Sequence, residues 1–203
     1  PQTMATRLLV ILLFSLNAIA SEADLEKILK ITKSFRGQFV QKVSDQDGNT
    51  IQEVKGHMLF KKPNFFKWVY SEPFKNQIIS DGEFLFLYDP DLKQVIITRL
   101  SRLGNSSPAM LLVSENIKNL FDTENFYDEK NLFWFKSVPK NPNTSSFKEV
   151  LIRYDENKLK RMKILDNFDH ITDITFLNII QNESINDAVF LFNLPEGVDV
   201  IKN

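Results

Sequence analysis

The chain of 203 residues contains no cysteine, only six glycines and only two histidines. Without cysteine there are no disulfides, no thiol catalysis and no thiolate metal sites. Six glycines leave little material for phosphate or dinucleotide loops, and neither such a motif nor a nucleophile elbow occurs. His57 and His170 lack the spacing of a zinc site. We therefore expect no enzyme activity, metal or cofactor, although carboxylates distant in sequence could still form an acid/base pair.

The chain also has no large excess of charge of either sign, with 25 basic and 26 acidic side chains. A domain that binds nucleic acid usually carries a clustered basic surface. The near balance of charges therefore predicts no nucleic-acid partner.

The first 20 residues have the pattern of a cleaved export signal. Arg7 precedes an apolar run at residues 8–19, and Ala18, Ile19 and Ala20 form a small-x-small cleavage site. This run is shorter than a membrane span, which needs about 20 apolar residues. We expect cleavage after Ala20, with residues 21–203 forming a single domain of net charge −2.

What the chain has in quantity is phenylalanine, with 18 copies. So many large aromatic side chains must be shielded from water, and the core of a β-sheet would accommodate most of them. The hydrophobic period predicts a helix over residues 21–35, capped by Ser21. From residue 37 to 100 the period becomes two, with short turns, which predicts an antiparallel meander. One turn, at residues 45–49, has the acidic residues of a calcium loop but not its ligand spacing, and we interpret it as a hairpin.

Further strands are predicted at residues 132–136, 147–154, 158–165, 171–180 and 189–192. About ten strands and a few helices favour an incomplete or highly curved antiparallel barrel. Alternation along one predicted strand places Phe66, Trp68 and Tyr70 on a single face, and Phe60 falls on the matching face of the preceding strand.

A second helix is predicted to begin at Ser107 as cap, with Pro108 in its first turn. Met110, Val113, Ile117, Leu120 and Phe121 form its apolar stripe. One interpretation is a helix packed permanently on the sheet. The other is a lid that opens. Two features favour it: the apolar run at residues 109–113, which contains no polar side chain, and the flexible segment that precedes it at residues 104–106.

Several of these motifs resemble one known family, the periplasmic outer-membrane lipoprotein carriers (LolA). They occur in family order along nearly the whole mature chain: FVQK at 39–42 after Phe35, KKPNFFKW at 61–68, SDG at 80–82, YDP at 88–90, SPAMLL at 107–112 and LPEGV at 194–198. The resemblance implies a mainly β fold with some α: an unclosed, strongly curved antiparallel β-barrel of about ten or eleven strands, with short helices acting as a lid.

The resemblance also implies the function. A monomeric periplasmic carrier would bind the acyl chains of lipoproteins in an apolar cavity. It would carry them from an inner-membrane lipoprotein-releasing ABC transporter to an outer-membrane lipoprotein receptor, without catalysis. Strand parity and the family layout together predict the lipid-binding residues: Leu29, Phe60, Phe66, Trp68, Tyr70, Met110, Leu111 and Val113.

Lys62 departs from the family pattern, because the family usually has an arginine there that helps to latch the lid. Lysine keeps the charge but loses the planar fork of donors. Lys62 is therefore predicted to contact the lid, the cargo or a partner. If it contacts the lid, it holds the lid more weakly than the arginine does, or in a different way. The alternative is a solvated lysine on a strand edge.

Two other function classes remain open. An exported sensor or adaptor could bind lipidated or unfolded envelope proteins, although no second domain is evident through which it would signal. A secreted hydrolase on a β scaffold would need a convergent polar pocket, which the sequence does not reveal.

Overall fold

The computed structural model describes residues 22–103 and 108–203. The predicted export signal at residues 1–20 and the cap at Ser21 lie outside these ranges. So do the lead at residues 104–106 and the cap at Ser107 of the second predicted helix.

The described residues form four short α-helices and twelve β-strands. The helices are α1 (Glu22–Ile31), α2 (Leu100–Leu103), α3 (Met110–Val113) and α4 (Ile117–Leu120). The strands are β1 (Ser34–Ser44), β2 (Thr50–Lys61), β3 (Phe65–Glu72), β4 (Gln77–Asp81), β5 (Phe84–Asp89), β6 (Gln94–Arg99), β7 (Phe121–Tyr127), β8 (Phe133–Pro139), β9 (Phe147–Asp155), β10 (Lys158–Asp166), β11 (Ile171–Gln181) and β12 (Asp199–Lys202). Single 3-10 turns occur at Pro142–Thr144 and Asp187–Phe190.

All twelve strands belong to one sheet, in the order β12-β6-β5-β4-β3-β2-β1-β11-β10-β9-β8-β7. The two edge strands, β12 and β7, do not pair with each other, so the sheet stays unclosed. Neighbouring strands are antiparallel except for β12, which pairs with β6 in parallel. The predicted fold class is confirmed. The sheet has twelve strands where ten or eleven were expected, because the edge strands β7 and β12 were not predicted.

Some predicted element boundaries were wrong. The first helix ends at Ile31, where the Thr32 hydroxyl donates to the Ile28 carbonyl at 2.9 Å, and Ser34 already begins a strand. The second predicted helix is broken into α3 and α4, and Phe121 belongs to β7. Residues 189–192 are not a strand, because Asn186 caps a 3-10 turn there by accepting from the Ala188 amide.

A glycine allows two strands to approach closely where the sheet bends. A Cβ added to Gly56 would lie 2.0 Å from the Val69 carbonyl oxygen and 2.7 Å from the Phe39 ring. The register between β2 and β3 also shifts between Lys55 and Gly56. Strand glycines are typical of sharp bends where a backbone or ring must come near.

We expect Gly56→Ala to destabilise the protein by about 3 kcal/mol or more, because the new methyl collides with a backbone oxygen that cannot rotate away. For a domain of this size the melting temperature should fall by roughly 6–12 °C. Gly37→Ala is the matched control. Its Cβ would meet the edge of the Phe35 side chain at 2.9 Å and the Leu177 carbonyl oxygen only at 3.3 Å. A melting temperature of Gly56→Ala equal to that of the wild type would contradict the role given to Gly56.

Candidate functional site

The inner face of the sheet and the helices share one apolar core. Buried residues of β1–β3 and β8–β11 pack together with residues of α1 and α3. The sheet contributes a large aromatic surface to this core, which includes Phe35, Phe39, Phe60, Phe66, Trp68, Phe135, Phe147 and Phe176. The fold therefore encloses a continuous apolar interior between a curved sheet and short helices.

The four sheet residues predicted for the site all lie on this inner face. Phe60, Phe66 and Trp68 are buried, and Tyr70 is partly buried against the same core. The ring of Phe39 lies 4.7 Å from that of Trp68 and 5.6 Å from that of Tyr70, measured between centroids. Strand β3 thus presents an aromatic wall to the helices.

The four predicted helix residues lie opposite this wall. Leu29 of α1 is buried, as are Met110, Leu111 and Val113 of α3. Leu112 was not selected from the sequence, yet it is equally buried, so every side chain of α3 faces the protein interior. A single helical turn that is surrounded by other elements has no face exposed to solvent. The sequence analysis assumed a longer helix with one apolar face and one polar face, and so it did not select Leu112.

The turn between β2 and β3 ties both helices to the sheet. The Lys62 ammonium donates to the Leu29 carbonyl of α1 at 2.6 Å. The Asn64 amide donates to the Val113 carbonyl of α3 at 3.3 Å, and the Asn64 carbonyl accepts from the buried Ser80 hydroxyl at 2.5 Å. Two motifs far apart in sequence, at residues 61–68 and 80–82, therefore meet the helices α1 and α3 at this turn, which we call the latch turn (residues 62–64).

Lys62 is half-buried. It borders a cavity of about 360 Å³ whose lining includes Glu26, Leu29, Lys33 and Glu115. Burial lowers the pKa of Lys62 to about 8, with Lys33 adding to the decrease and Glu115 opposing it. Keeping the ammonium charged in this position therefore has an electrostatic cost.

A second opening leads from the surface to the apolar core, and we call it the groove. It has a volume of about 300 Å³ and lies between the approach to α3 and the sheet. Its lining is mostly apolar: Ile78, Pro108, Ala109, Leu112, Phe147, Met162, Ile164 and Ile174. Six residues with polar side chains also line it: Gln41, Trp68, Tyr70, Ser146, Asp166 and Thr172. Burial raises the pKa of Tyr70, so its phenol is neutral at physiological pH.

Several groove residues were missed by the sequence analysis, namely Gln41, Ile78, Phe147, Met162, Ile164 and Ile174. The alternation of Met162 and Ile164 with Arg161 and Lys163 does indicate an apolar face on β10. Their position opposite β3 depends on β1 and β11 pairing across the sheet, and that long-range pairing leaves no local signal.

The two histidines have different surroundings. His57 is exposed, and the His170 ring nitrogen Nδ1 lies 3.0 Å from the Asp166 carboxylate in a surface hairpin. Within residues 22–103 and 108–203, no three histidine, aspartate or glutamate side chains are grouped as metal ligands would be. In the same ranges, no helix combines the length and apolar character required to cross a membrane.

Comparison with known proteins gives consistent matches. A family model described as "Outer membrane lipoprotein carrier protein LolA" matches residues 30–193. The outer-membrane lipoprotein carrier protein of Methylobacillus flagellatus is 37% identical over 179 residues, which cover 88% of this chain and 87% of that one. The protein of the same name from Nitrosomonas europaea is 34% identical over 206 residues, which cover 98% and 100% of the two chains.

Solved structures support the fold. A LolA superfamily protein from Nitrosomonas europaea matches with a TM-score of 0.54 at 15% identity, covering 86% of this chain and 99% of that one. An uncharacterized conserved protein from Thermus thermophilus matches with a TM-score of 0.52 at 10% identity, covering 89% and 98%. The family model and the sequence relatives span most of the chain, so this protein belongs to the outer-membrane lipoprotein carrier family, LolA.

Proposed function

We propose that this protein is a periplasmic chaperone that binds the acyl chains of lipoproteins between the aromatic wall of β3 and the helices α1 and α3. It carries them, as a monomer, from an inner-membrane lipoprotein-releasing ABC transporter to an outer-membrane lipoprotein receptor. Residues 1–20 act as a cleaved export signal. The lipid-binding residues are Leu29, Phe60, Phe66, Trp68, Tyr70, Met110, Leu111 and Val113, and Lys62 latches the lid.

The observation that carries this proposal is the way α3 covers the sheet. All four of its side chains are buried on the inner face, whereas its backbone contact with the latch turn is a single hydrogen bond of 3.3 Å from Asn64. A cover held mainly by apolar contact can be replaced by another apolar surface of similar area. An acyl chain supplies such a surface.

The magnitudes support reversible binding. Burying one methylene contributes about 0.8 kcal/mol, so a sixteen-carbon chain gains roughly 12 kcal/mol on leaving water. The four side chains of α3 gain roughly 6–12 kcal/mol from covering the same sheet, at about 1.5–3 kcal/mol each. Cargo must displace the lid, so its net affinity falls well below the gross value and handover to a receptor becomes feasible.

Native mass spectrometry tests this function directly. The full chain is produced, exported and purified, and then mixed with an acylated lipoprotein or with the same protein lacking its acyl groups. We expect a one-to-one complex with the acylated form only. Binding of both forms, or of unfolded proteins without lipid, would favour the sensor or adaptor instead. Turnover of either form would indicate an enzyme.

A further inference from the structure

One donor in the groove has no protein partner. Among the described residues, the indole Nε1 of Trp68 is buried and lacks a hydrogen-bond acceptor. Burial raises the pKa of Tyr70 and the nearby Trp68 indole N–H partly offsets that rise, so the two groups interact, although they do not form a hydrogen bond of normal geometry. A buried donor left unpaired is costly, and such groups in a native structure are often associated with function.

The other tryptophan of the chain provides a comparison. Trp134 is also buried, and its Nε1 donates to the Asp128 carboxylate at 2.9 Å. Trp134 lies outside the apolar core shared by the sheet and the helices, whereas Trp68 lies within it and lines the groove. The indole of Trp134, which does not line the groove, therefore has a hydrogen-bond acceptor. The indole of Trp68, which does line it, has none among the described residues.

The surroundings of Trp68 limit what could accept this hydrogen bond. Its ring packs on Phe39 and Phe176, and Ile78, Leu112 and Met162 line the same groove. A fitting ligand has a long apolar body next to one strong acceptor. An acyl ester or amide has this composition, because its carbonyl oxygen accepts hydrogen bonds and its chain is apolar.

We propose that the Trp68 indole N–H donates to the acyl carbonyl of the lipid anchor, so that the groove recognises acyl groups and not merely hydrocarbon. The other polar residues of the groove, Gln41, Tyr70, Ser146, Asp166 and Thr172, provide the surface on which the linkage of the anchor lies, while the chain runs inward under Leu112. This inference rests on the proposed function, since it concerns the same cargo.

The test compares two synthetic lipopeptides of equal chain length, one with ester-linked acyl chains and one with ether-linked alkyl chains, which lack the carbonyl. We expect the wild-type protein to bind the ester form about five- to tenfold more tightly. Trp68→Phe should reduce this ratio to near one, because it removes the donor that only the ester form can use. Trp134→Phe, which removes an indole N–H outside the groove, should leave the ratio unchanged.

A second measurement does not depend on the Trp68 variant folding well. In Trp134→Phe, Trp68 provides the only indole N–H resonance, and it should shift on binding the ester lipopeptide but much less with the ether one. A wild-type ratio of one, or a ratio that survives Trp68→Phe, would overturn the role of Trp68 while leaving the carrier function intact. Failure to bind either lipopeptide would overturn both proposals.

Discussion

Glutamate in place of Leu111 should leave a folded protein that no longer takes acylated lipoprotein from inner-membrane vesicles. Leu111 is fully buried between α3 and the sheet. Burying a carboxyl group in an apolar site costs about 2 kcal/mol or more, whichever protonation state it adopts. Moving a four-residue helix away from the sheet relieves this cost with far less disruption than unfolding twelve strands.

We therefore expect release of lipoprotein from the vesicles to fall by at least about tenfold, because the lid stays displaced and presents a charge to the acyl chains. The matched control is Asn119→Glu, which places the same carboxylate on the exposed side of α4. Its release should equal that of the wild type. Circular dichroism and melting curves establish that both variants are folded. Undiminished release by Leu111→Glu would contradict the assignment of α3 to the lid, which it forms together with α1.

Raising the pH should close the lid. With the lid closed, burial lowers the pKa of Lys62 to about 8, whereas a solvated lysine has its ordinary value of 10.5. Below pH 8 the ammonium is charged in both states, and the closed state bears the full cost of burying it. Between pH 8 and 10.5 the closed state loses the proton first, so closure becomes more favourable as pH rises.

The difference in pKa corresponds to about 3 kcal/mol, or up to roughly a three-hundredfold change in the ratio of closed to open protein. Lys30, Lys33, Glu26 and Glu115 also line the Lys62 cavity. They remain in the control variant Lys62→Arg, whose guanidinium does not deprotonate in this range.

Binding of an apolar fluorescent dye to the interior provides the measurement. In the wild type, dye affinity should fall from pH 8 to pH 10.5, and in Lys62→Arg it should stay nearly constant. Parallel profiles for the two proteins would exclude Lys62 as the titrating group. At neutral pH, burying the charged Lys62 ammonium destabilises the closed lid. Opening is then easier, which suits a carrier that must load and unload its cargo.

Much of the inner surface was predictable because it depends on local alternation. Side chains on a strand point to opposite faces with a period of two, so one residue on the apolar face indicates the others. This is why Phe66, Trp68 and Tyr70 were expected together and are found together. The run at residues 109–113 likewise indicated a buried segment, although Leu112 was overlooked because a longer helix was assumed.

The boundaries of short elements were less predictable. Strand β7 (FDTENFY) has little apolar alternation, and β12 is four exposed residues held by pairing with β6. Neither segment has a strong intrinsic pattern, so tertiary contacts decide its conformation.

By itself, the sequence determined the class of fold, the apolar faces of the strands and the family, because each of these depends on residues close together along the chain. Only the tertiary structure decided that Lys62 reaches a carbonyl 33 residues away, that Gly56 lies against the Val69 backbone and that the Trp68 N–H has no acceptor. These features depend on the distances between atoms of separate elements. Such distances are set by how a twelve-stranded sheet curves around its helices, and no local pattern contains that information.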